Sequence, residues 1–181
     1  RLGITFVVVT HDQEEAMILS SRIAVMDKGR FCQVDKPGAI YEYPADRFVA
    51  DFIGTINMFE GTVESVEGEH IAVRSADAEP LLRAVSTALH KPGDALTVAV
   101  RPEKIYISPE RPENSTASCM EGIVEDLGYF GNLSLYRVKL ASGRIIQVSA
   151  QNRQRTSEHK VEWDDKVFVS WDTASAIVLT H

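Results

Sequence analysis

Apolar positions near the start of the chain form a dense β-branched run. Residues 4–9 read Ile-Thr-Phe-Val-Val-Val, which places apolar side chains on both faces of an extended segment. This pattern is typical of a central strand in a parallel sheet that is covered by helices on both sides. The neighbours of such a strand are joined by crossovers of about a dozen or more residues. The preceding residues supply none, so we expect the chain to begin inside a larger α/β domain.

Helix and turn signals follow this run. Asp12, with Glu15 three positions later, has the form of a capped helix start and predicts a short helix that extends to Ser21. The turn signal at 27–29 lies between two apolar segments and predicts a hairpin. The segments predicted in this part are strands at 22–27 and 30–35 and helices at 37–43 and 47–53, the first helix starting with Pro37 and the second ending at Gly54.

After Asn57 the pattern changes to short alternating segments separated by turns. This spacing predicts a mainly β fold with a small barrel or a pair of barrels. A Pro-, Glu-, Asn- and Ser-rich stretch, 109–118, predicts a solvated loop between two β modules. The predicted strands are 58–66, 71–74, 95–101, 104–107, 120–127, 134–140, 144–150, 166–171 and 176–179.

Composition and charge exclude several classes of function. The 181 residues are 44% hydrophobic and 25% charged, which is ordinary for a globular protein. The net charge of −7 divides into −2 over residues 1–55 and −5 over 56–181. This balance argues against binding to nucleic acid or anionic lipid. Cys32 and Cys119 lie 87 positions apart, so we expect reduced thiols and no metal site.

One histidine has a position that suggests chemistry. His11 follows the predicted strand and precedes the predicted helix, where open α/β sheets place their ligands. An imidazole there could donate a hydrogen bond to a phosphate oxygen. It could equally be a capping or solvent-facing histidine, and its position leaves both interpretations open.

Other polar and aromatic clusters have weaker functional signals. The aromatic loop 129–132 could stack a ligand or partner, although packing is the more common role of such residues. The acidic cluster 64–69 is interpreted as a solvated hairpin end, and Arg101 to Lys104 as a structural brace at a turn. Trp163 and Trp171 are interpreted as core or interface residues. The sequence shows no Ser/His/Asp, Cys/His or paired-carboxylate set in a supporting context.

A family resemblance rests on the residues around His11. Thr10 to Met17 read Thr-His-Asp-Gln-Glu-Glu-Ala-Met and resemble the switch motif, or H-loop, of ATP-binding cassette (ABC) importer ATPases. Ser21 stands where the family usually has an aspartate. The later part of the chain resembles the transport-associated OB-type (TOBE) regulatory domain of the same family. The flanking residues that carry the resemblance are 22–26, Gly29, Gln33, Pro37, Ile40, Tyr41, Pro44, 48–54, Asn57, 59–61 and 100–105.

The resemblance implies a domain organisation and a role for His11. Residues 1–55 would be the carboxyl-terminal end of the nucleotide-binding domain of a P-loop ATPase, and residues 56–181 an OB-type β-barrel regulatory domain. His11 would contact the γ-phosphate of ATP and position the attacking water. The full-length protein would use ATP and Mg²⁺ at the cytoplasmic face of the cell membrane. Its partners would be transmembrane permease subunits and a second copy of the ATPase subunit.

The resemblance also bears on the transported solute and on the activity of this chain. Trp171, together with 59–61 and 176–179, makes polyamine importers the best match, although ferric-iron and sugar importers share much of the pattern. The chain contains no G-x-x-x-x-G-K-[ST] phosphate loop, signature motif or catalytic glutamate strand, so we expect it to be inactive alone. The alternative function is a stand-alone OB-type module that senses a solute or oxyanion without ATP chemistry.

Overall fold

The chain divides into two compact units. A computed structural model describes residues 4–112, 118–152 and 161–180. The first unit ends at Gly54 and the second begins at Thr55. Residues 113–117 of the predicted solvated loop lie outside the described residues.

From residue 4 onward, the first unit contains a two-stranded antiparallel hairpin and three short helices. Its core is formed by Ile23, Val25, Ile40, Val49 and Ile53. The predicted helices and hairpin are confirmed to within one or two residues at their ends. In chain order the elements are α1 (Gln13–Leu19), β1 (Ile23–Asp27), β2 (Arg30–Asp35), α2 (Pro37–Glu42) and α3 (Arg47–Phe52).

Local side-chain chemistry fixes the ends of the helices. Asp12 caps α1 by accepting a hydrogen bond from the Glu15 amide at 3.0 Å, and Asp46 caps α3 by accepting one from the Val49 amide at 2.8 Å. These carboxylates satisfy amides that have no partner inside the helix. Gly54 follows α3 with a φ of +76°, a left-handed conformation that glycine adopts at low cost.

The predicted strand at residues 4–9 is wrong for this structure. These residues form no strand, and Phe6 and Val9 are 82% and 95% exposed. A strand requires a paired neighbour for its backbone amides and carbonyls. No described strand pairs with this segment, so its apolar side chains remain in contact with solvent.

The described residues of the second unit form ten antiparallel strands in two five-stranded sheets. The mainly β prediction is confirmed, with one strand, β5, that the pattern did not predict. One sheet has the order β12-β6-β3-β4-β5 and the other β10-β9-β8-β11-β7. The strands are β3 (Asn57–Glu67), β4 (His70–Ser75), β5 (Ala78–Val85), β6 (Ala95–Val100), β7 (Tyr106–Ser108), β8 (Ser118–Tyr129), β9 (Leu133–Leu140), β10 (Ile145–Gln151), β11 (Lys166–Trp171) and β12 (Ile177–Leu179).

Strands β3–β7 and β8–β12 form an internal repeat. Gly61 of β3 lies opposite Leu96 of β6, and Gly122 of β8 lies opposite Val167 of β11 in the same register. The register of β3 shifts between Val63 and Ser65, and that of β8 shifts between Val124 and Asp126. The two sheets therefore share strand order, register and the position of the bulge.

The repeats exchange their last strands. β7 of the first repeat pairs with β11 of the second, and β12 of the second repeat pairs with β6 of the first. A short 3₁₀ turn precedes each exchanged strand, at Pro102–Lys104 and Thr173–Ser175. A single cluster of buried apolar side chains draws on strands of both repeats, so each repeat completes the fold of the other.

Candidate functional site

His11 lies in an irregular segment just before α1. Its side chain is exposed, and no hydrogen bond of the imidazole is found among the described residues. The backbone around it is held locally, because Thr10 Oγ1 accepts a hydrogen bond from the Asp12 amide at 3.0 Å. Both ring nitrogens can therefore meet a ligand without breaking a contact within the described part of the chain.

Gln13 ties the start of α1 to the end of the first unit. Its side-chain oxygen Oε1 accepts a hydrogen bond from the Gly54 amide at 2.8 Å, across 41 positions in the sequence. Gln13 is half-buried and is the first residue of α1. The residue two positions after His11 is thus fixed to the residue at which the first unit ends.

A second glutamine braces the connection between α2 and α3. Gln33 Nε2 donates to the carbonyl of Tyr43 at 3.0 Å, and its Oε1 accepts from the amide of Ala45 at 2.7 Å. The two bonds flank Pro44, which is buried and has no amide hydrogen of its own. One side chain therefore fixes the turn on which α3 begins.

Two buried polar side chains hold the first residues of the second unit. Arg101 is 1% exposed and its Nη1 donates to the carbonyl of Thr55 at 3.2 Å. Asn57 donates from Nδ2 to the Gln147 carbonyl at 2.8 Å and accepts at Oδ1 from the Gln147 amide at 2.8 Å. Arg101 is thus a buried guanidinium that holds Thr55, which fits the structural role expected for the segment Arg101 to Lys104.

Arg144 is the centre of a second polar cluster in this unit. Its Nη1 contacts Asp77 Oδ2 at 3.0 Å, Nη2 donates to the Met58 carbonyl, and its guanidinium carbon lies 5.5 Å from the centre of the Phe59 ring. Phe59 in turn stacks on Trp171 with ring centres 5.8 Å apart. The cluster joins residues of both repeats and is suited to holding them together.

The remaining candidate residues are in separate places. Glu64 of the acidic cluster is paired with Arg74 in a bidentate contact, with a shortest hydrogen bond of 2.6 Å, which supports a structural role. Tyr129 and Phe130 are 58% and 63% exposed at the end of the β8–β9 hairpin. Trp171 is fully buried, as interpreted, whereas Trp163 is 57% exposed.

The described residues were also compared with the requirements of a metal site and of a membrane-spanning helix. Over residues 4–112, 118–152 and 161–180, no three His, Cys, Asp or Glu side chains are grouped so that they could hold a metal ion. None of the helices described is both long enough and apolar enough to span a bilayer.

Part of the second unit is similar to a known family. Residues 98–179 match the family model of the TOBE domain. All of the matched residues lie in the second unit. Its matched residues begin in β6 and end with β12, so they include the exchanged strands of both repeats.

Curated relatives confirm the resemblance read from the sequence. The chain is 39% identical over 180 residues to the putrescine transport ATP-binding protein PotG of Escherichia coli (strain K12), covering 99% of this chain and 48% of that protein. It is 41% identical over 180 residues to the spermidine/putrescine import ATP-binding protein PotA of Rubrobacter xylanophilus, covering 98% of this chain and 46% of that protein. The chain thus spans about half the length of these relatives.

A solved structure is similar in fold to a large part of this chain. The cytoplasmic molybdate-binding protein ModG, in a form with molybdate bound, has a TM-score of 0.60 with 14% identity, covering 69% of this chain and 96% of that protein. At this identity the likeness shows the OB-type fold alone.

The candidate residues belong to different units of the chain. His11 lies in the first unit, and the polar clusters around Asn57 and Arg144 lie in the second. Sequence reasoning missed Gln13 and Asn57 as anchoring residues. The signal for Gln13 was limited to its place in the switch motif, because a contact across 41 positions has no local pattern.

Proposed function

We propose that this chain is the carboxyl-terminal part of the ATP-binding subunit of an ABC importer whose substrate is a polyamine such as putrescine. In this proposal residues 1–55 end the nucleotide-binding domain and residues 56–181 form the regulatory domain. The observation that carries the proposal is 39% identity over 180 residues to a putrescine transport ATP-binding protein, across both units.

His11 is the residue of this chain that acts on the nucleotide. Its exposed imidazole, next to a backbone turn held by Thr10 and Asp12, fits a hydrogen bond to the γ-phosphate and an orienting contact to the attacking water. ATP and Mg²⁺ supply the phosphoryl group and the charge neutralisation. The sequence holds no phosphate-loop motif, so the residues present fit this one contact and not a complete nucleotide site.

The partners and location follow from the same role. The complete subunit binds transmembrane permease subunits, pairs with a second copy of itself, and acts at the cytoplasmic face of the membrane. The acidic charge of −7 supports a protein partner over nucleic acid.

The test compares the chain with the complete gene product. The 181-residue chain should bind ATP weakly and show no ATPase activity above background, because the phosphate loop supplies most of the phosphate contacts. In the complete gene product, His11→Ala should lower kcat on the order of a hundredfold or more while ATP binding stays nearly unchanged.

The control variant is His70→Ala, which removes an exposed histidine at the start of β4. It should retain full activity. A loss of ATP affinity as large as the loss of rate in His11→Ala would contradict the assignment of His11 to the transition state. Absence of ATPase activity in the complete gene product would contradict the function itself.

A further inference from the structure

The connection between the two units is held on both sides by side-chain hydrogen bonds. We call residues 10–13 the switch segment and residues 54–57 the connection. On one side, Gln13 Oε1 accepts from the Gly54 amide at 2.8 Å, within the first unit. On the other side, Arg101 Nη1 donates to the Thr55 carbonyl at 3.2 Å, within the second.

The fourth residue of the connection is anchored most strongly. Asn57 is 6% exposed and makes both a donated and an accepted hydrogen bond with the backbone of Gln147, each 2.8 Å long. Among the described residues, its counterpart in the second repeat, Ser118, makes one side-chain hydrogen bond, from the Arg83 amide to Oγ at 2.9 Å. The repeat that follows the connection thus has the firmer anchor, although the two repeats share the same strand order.

We infer that Gln13 is a positioning residue that couples the switch segment to the connection, so that the state of the β unit is transmitted to His11. This inference rests on the proposed function of His11. The covalent chain joins Gly54 to Asn57, and His11 lies two residues before Gln13. A displacement of the connection would therefore pull on the Gln13 side chain, and through it on the backbone that carries the imidazole.

The first test measures the hydrogen bond itself in the complete 181-residue chain. Gln13→Ala should accelerate amide exchange at Gly54 roughly fivefold to tenfold, as expected for the loss of one net hydrogen bond. Glu14→Ala is the matched control, because it places alanine at the next position of the same helical turn. Unchanged exchange at Gly54 in Gln13→Ala would overturn the inference.

The second test measures coupling by the NMR shift of the His11 Cε1 proton. Asn57→Ala removes both bonds to Gln147 and should move this signal, whereas Ser118→Ala at the equivalent position should not. The shift caused by Asn57→Ala should shrink when Gln13→Ala is already present. Additive shifts, or no shift from Asn57→Ala, would overturn the inference. Asn57→Asp keeps the accepted bond and replaces Asn57→Ala if the latter does not fold.

The third test separates positioning from a structural role. In the complete gene product, Gln13→Ala should lower kcat with an unchanged KM for ATP, and Gln13→Glu, which keeps an acceptor oxygen, should restore most of the rate. An equal fall in kcat in Glu14→Ala would overturn the positioning role. If the complete gene product has no ATPase activity, only the proposed function is contradicted. The coupling is still tested by the NMR shift of the His11 Cε1 proton.

Discussion

Gly61 and Gly122 occupy the same position in the two repeats, and neither has room for a β-carbon. A β-carbon on Gly61 would lie 2.6 Å from the Arg74 carbonyl oxygen, and one on Gly122 would lie 2.5 Å from Val138 Cγ1. Each glycine lies two residues before the register shift of its central strand, which starts at Val63 in β3 and at Val124 in β8. The close approach of the neighbouring strand is therefore a property of the repeat.

Alanine at either glycine should destabilise the second unit. We expect Gly61→Ala and Gly122→Ala each to lower the free energy of unfolding by about 1–3 kcal/mol, because backbone or a packed valine must shift. Urea unfolding followed by tryptophan fluorescence reports this unit, since both tryptophans belong to it.

The control for this prediction is Gly38→Ala in α2, where an added β-carbon meets nothing within 4 Å. It should leave the tryptophan transition unchanged, because Gly38 belongs to the first unit. A Gly61→Ala variant as stable as the native chain would show that β3 and β4 can separate at no cost.

The internal repeat is also visible in the sequence, as two similar segments. Residues 59–64 read Phe-Glu-Gly-Thr-Val-Glu, and residues 120–125 read Met-Glu-Gly-Ile-Val-Glu. Alternation alone predicted nine of the ten strands of the second unit. It missed β5, because Glu79 and Pro80 interrupt the alternation near its start. The exchange of β7 and β12 is a long-range pairing that local pattern cannot reveal.

In the first unit, the prediction that failed is the strand at residues 4–9, which needs a neighbouring strand from elsewhere in the chain. The hairpin and helices depend on local turns and caps, and these were predicted. Residues 4–9 have the composition of a buried strand, yet composition does not supply a neighbouring strand. His11 could be singled out from its motif, whereas Gln13 needed the three-dimensional contact with Gly54.

Removing β12 should weaken the first repeat more than the second. Ending the chain after Ala176 removes three residues paired with β6, including Leu179, which is 2% exposed. We expect a loss of about 2–5 kcal/mol in unfolding free energy, comparable to deleting a buried leucine side chain. Hydrogen exchange should show the largest loss of protection in β6, which becomes an edge strand.

A chain that ends after Thr180 is the control for this truncation and should match the native exchange pattern. Equal loss of protection in β6 and β11 would mean that the strand exchange does not make β6 depend on β12 in particular.

Tyr136 should make the second unit sensitive to alkaline pH. It is 6% exposed, and burial raises its pKa above the ordinary value of 10.0, with a smaller opposing effect from a hydrogen bond with Ser134. Above pH 10 the unfolded chain loses this proton while the folded chain keeps it, so the free energy of unfolding falls as pH rises. Below pH 9 the contribution is fully present.

The measurement is urea unfolding from pH 7 to pH 11. Tyr136→Phe should lose less stability above pH 10 than the native chain does. Tyr106→Phe removes a tyrosine that is 65% exposed and should follow the native curve. Parallel curves for the native chain and Tyr136→Phe would exclude this residue as the cause of an alkaline transition.

Hydrogen exchange should be fastest at residues 4–9 and slowest in the central strands of the two sheets. Residues 4–9 form no strand and expose Phe6, Val7 and Val9 at 82%, 87% and 95%, so no strand pairing within the described part of the chain protects their amides. We expect them to exchange at nearly the unfolded rate, while β3 and β8, which are paired on both sides, exchange slowest. The run is also rich in β-branched residues, which favour pairing with another strand. Protection at residues 4–9 that grows with protein concentration would mean that copies of the chain pair through this segment. Strong protection in a dilute monomer would instead mean that the first unit already provides the strand with a neighbour, contrary to the structure.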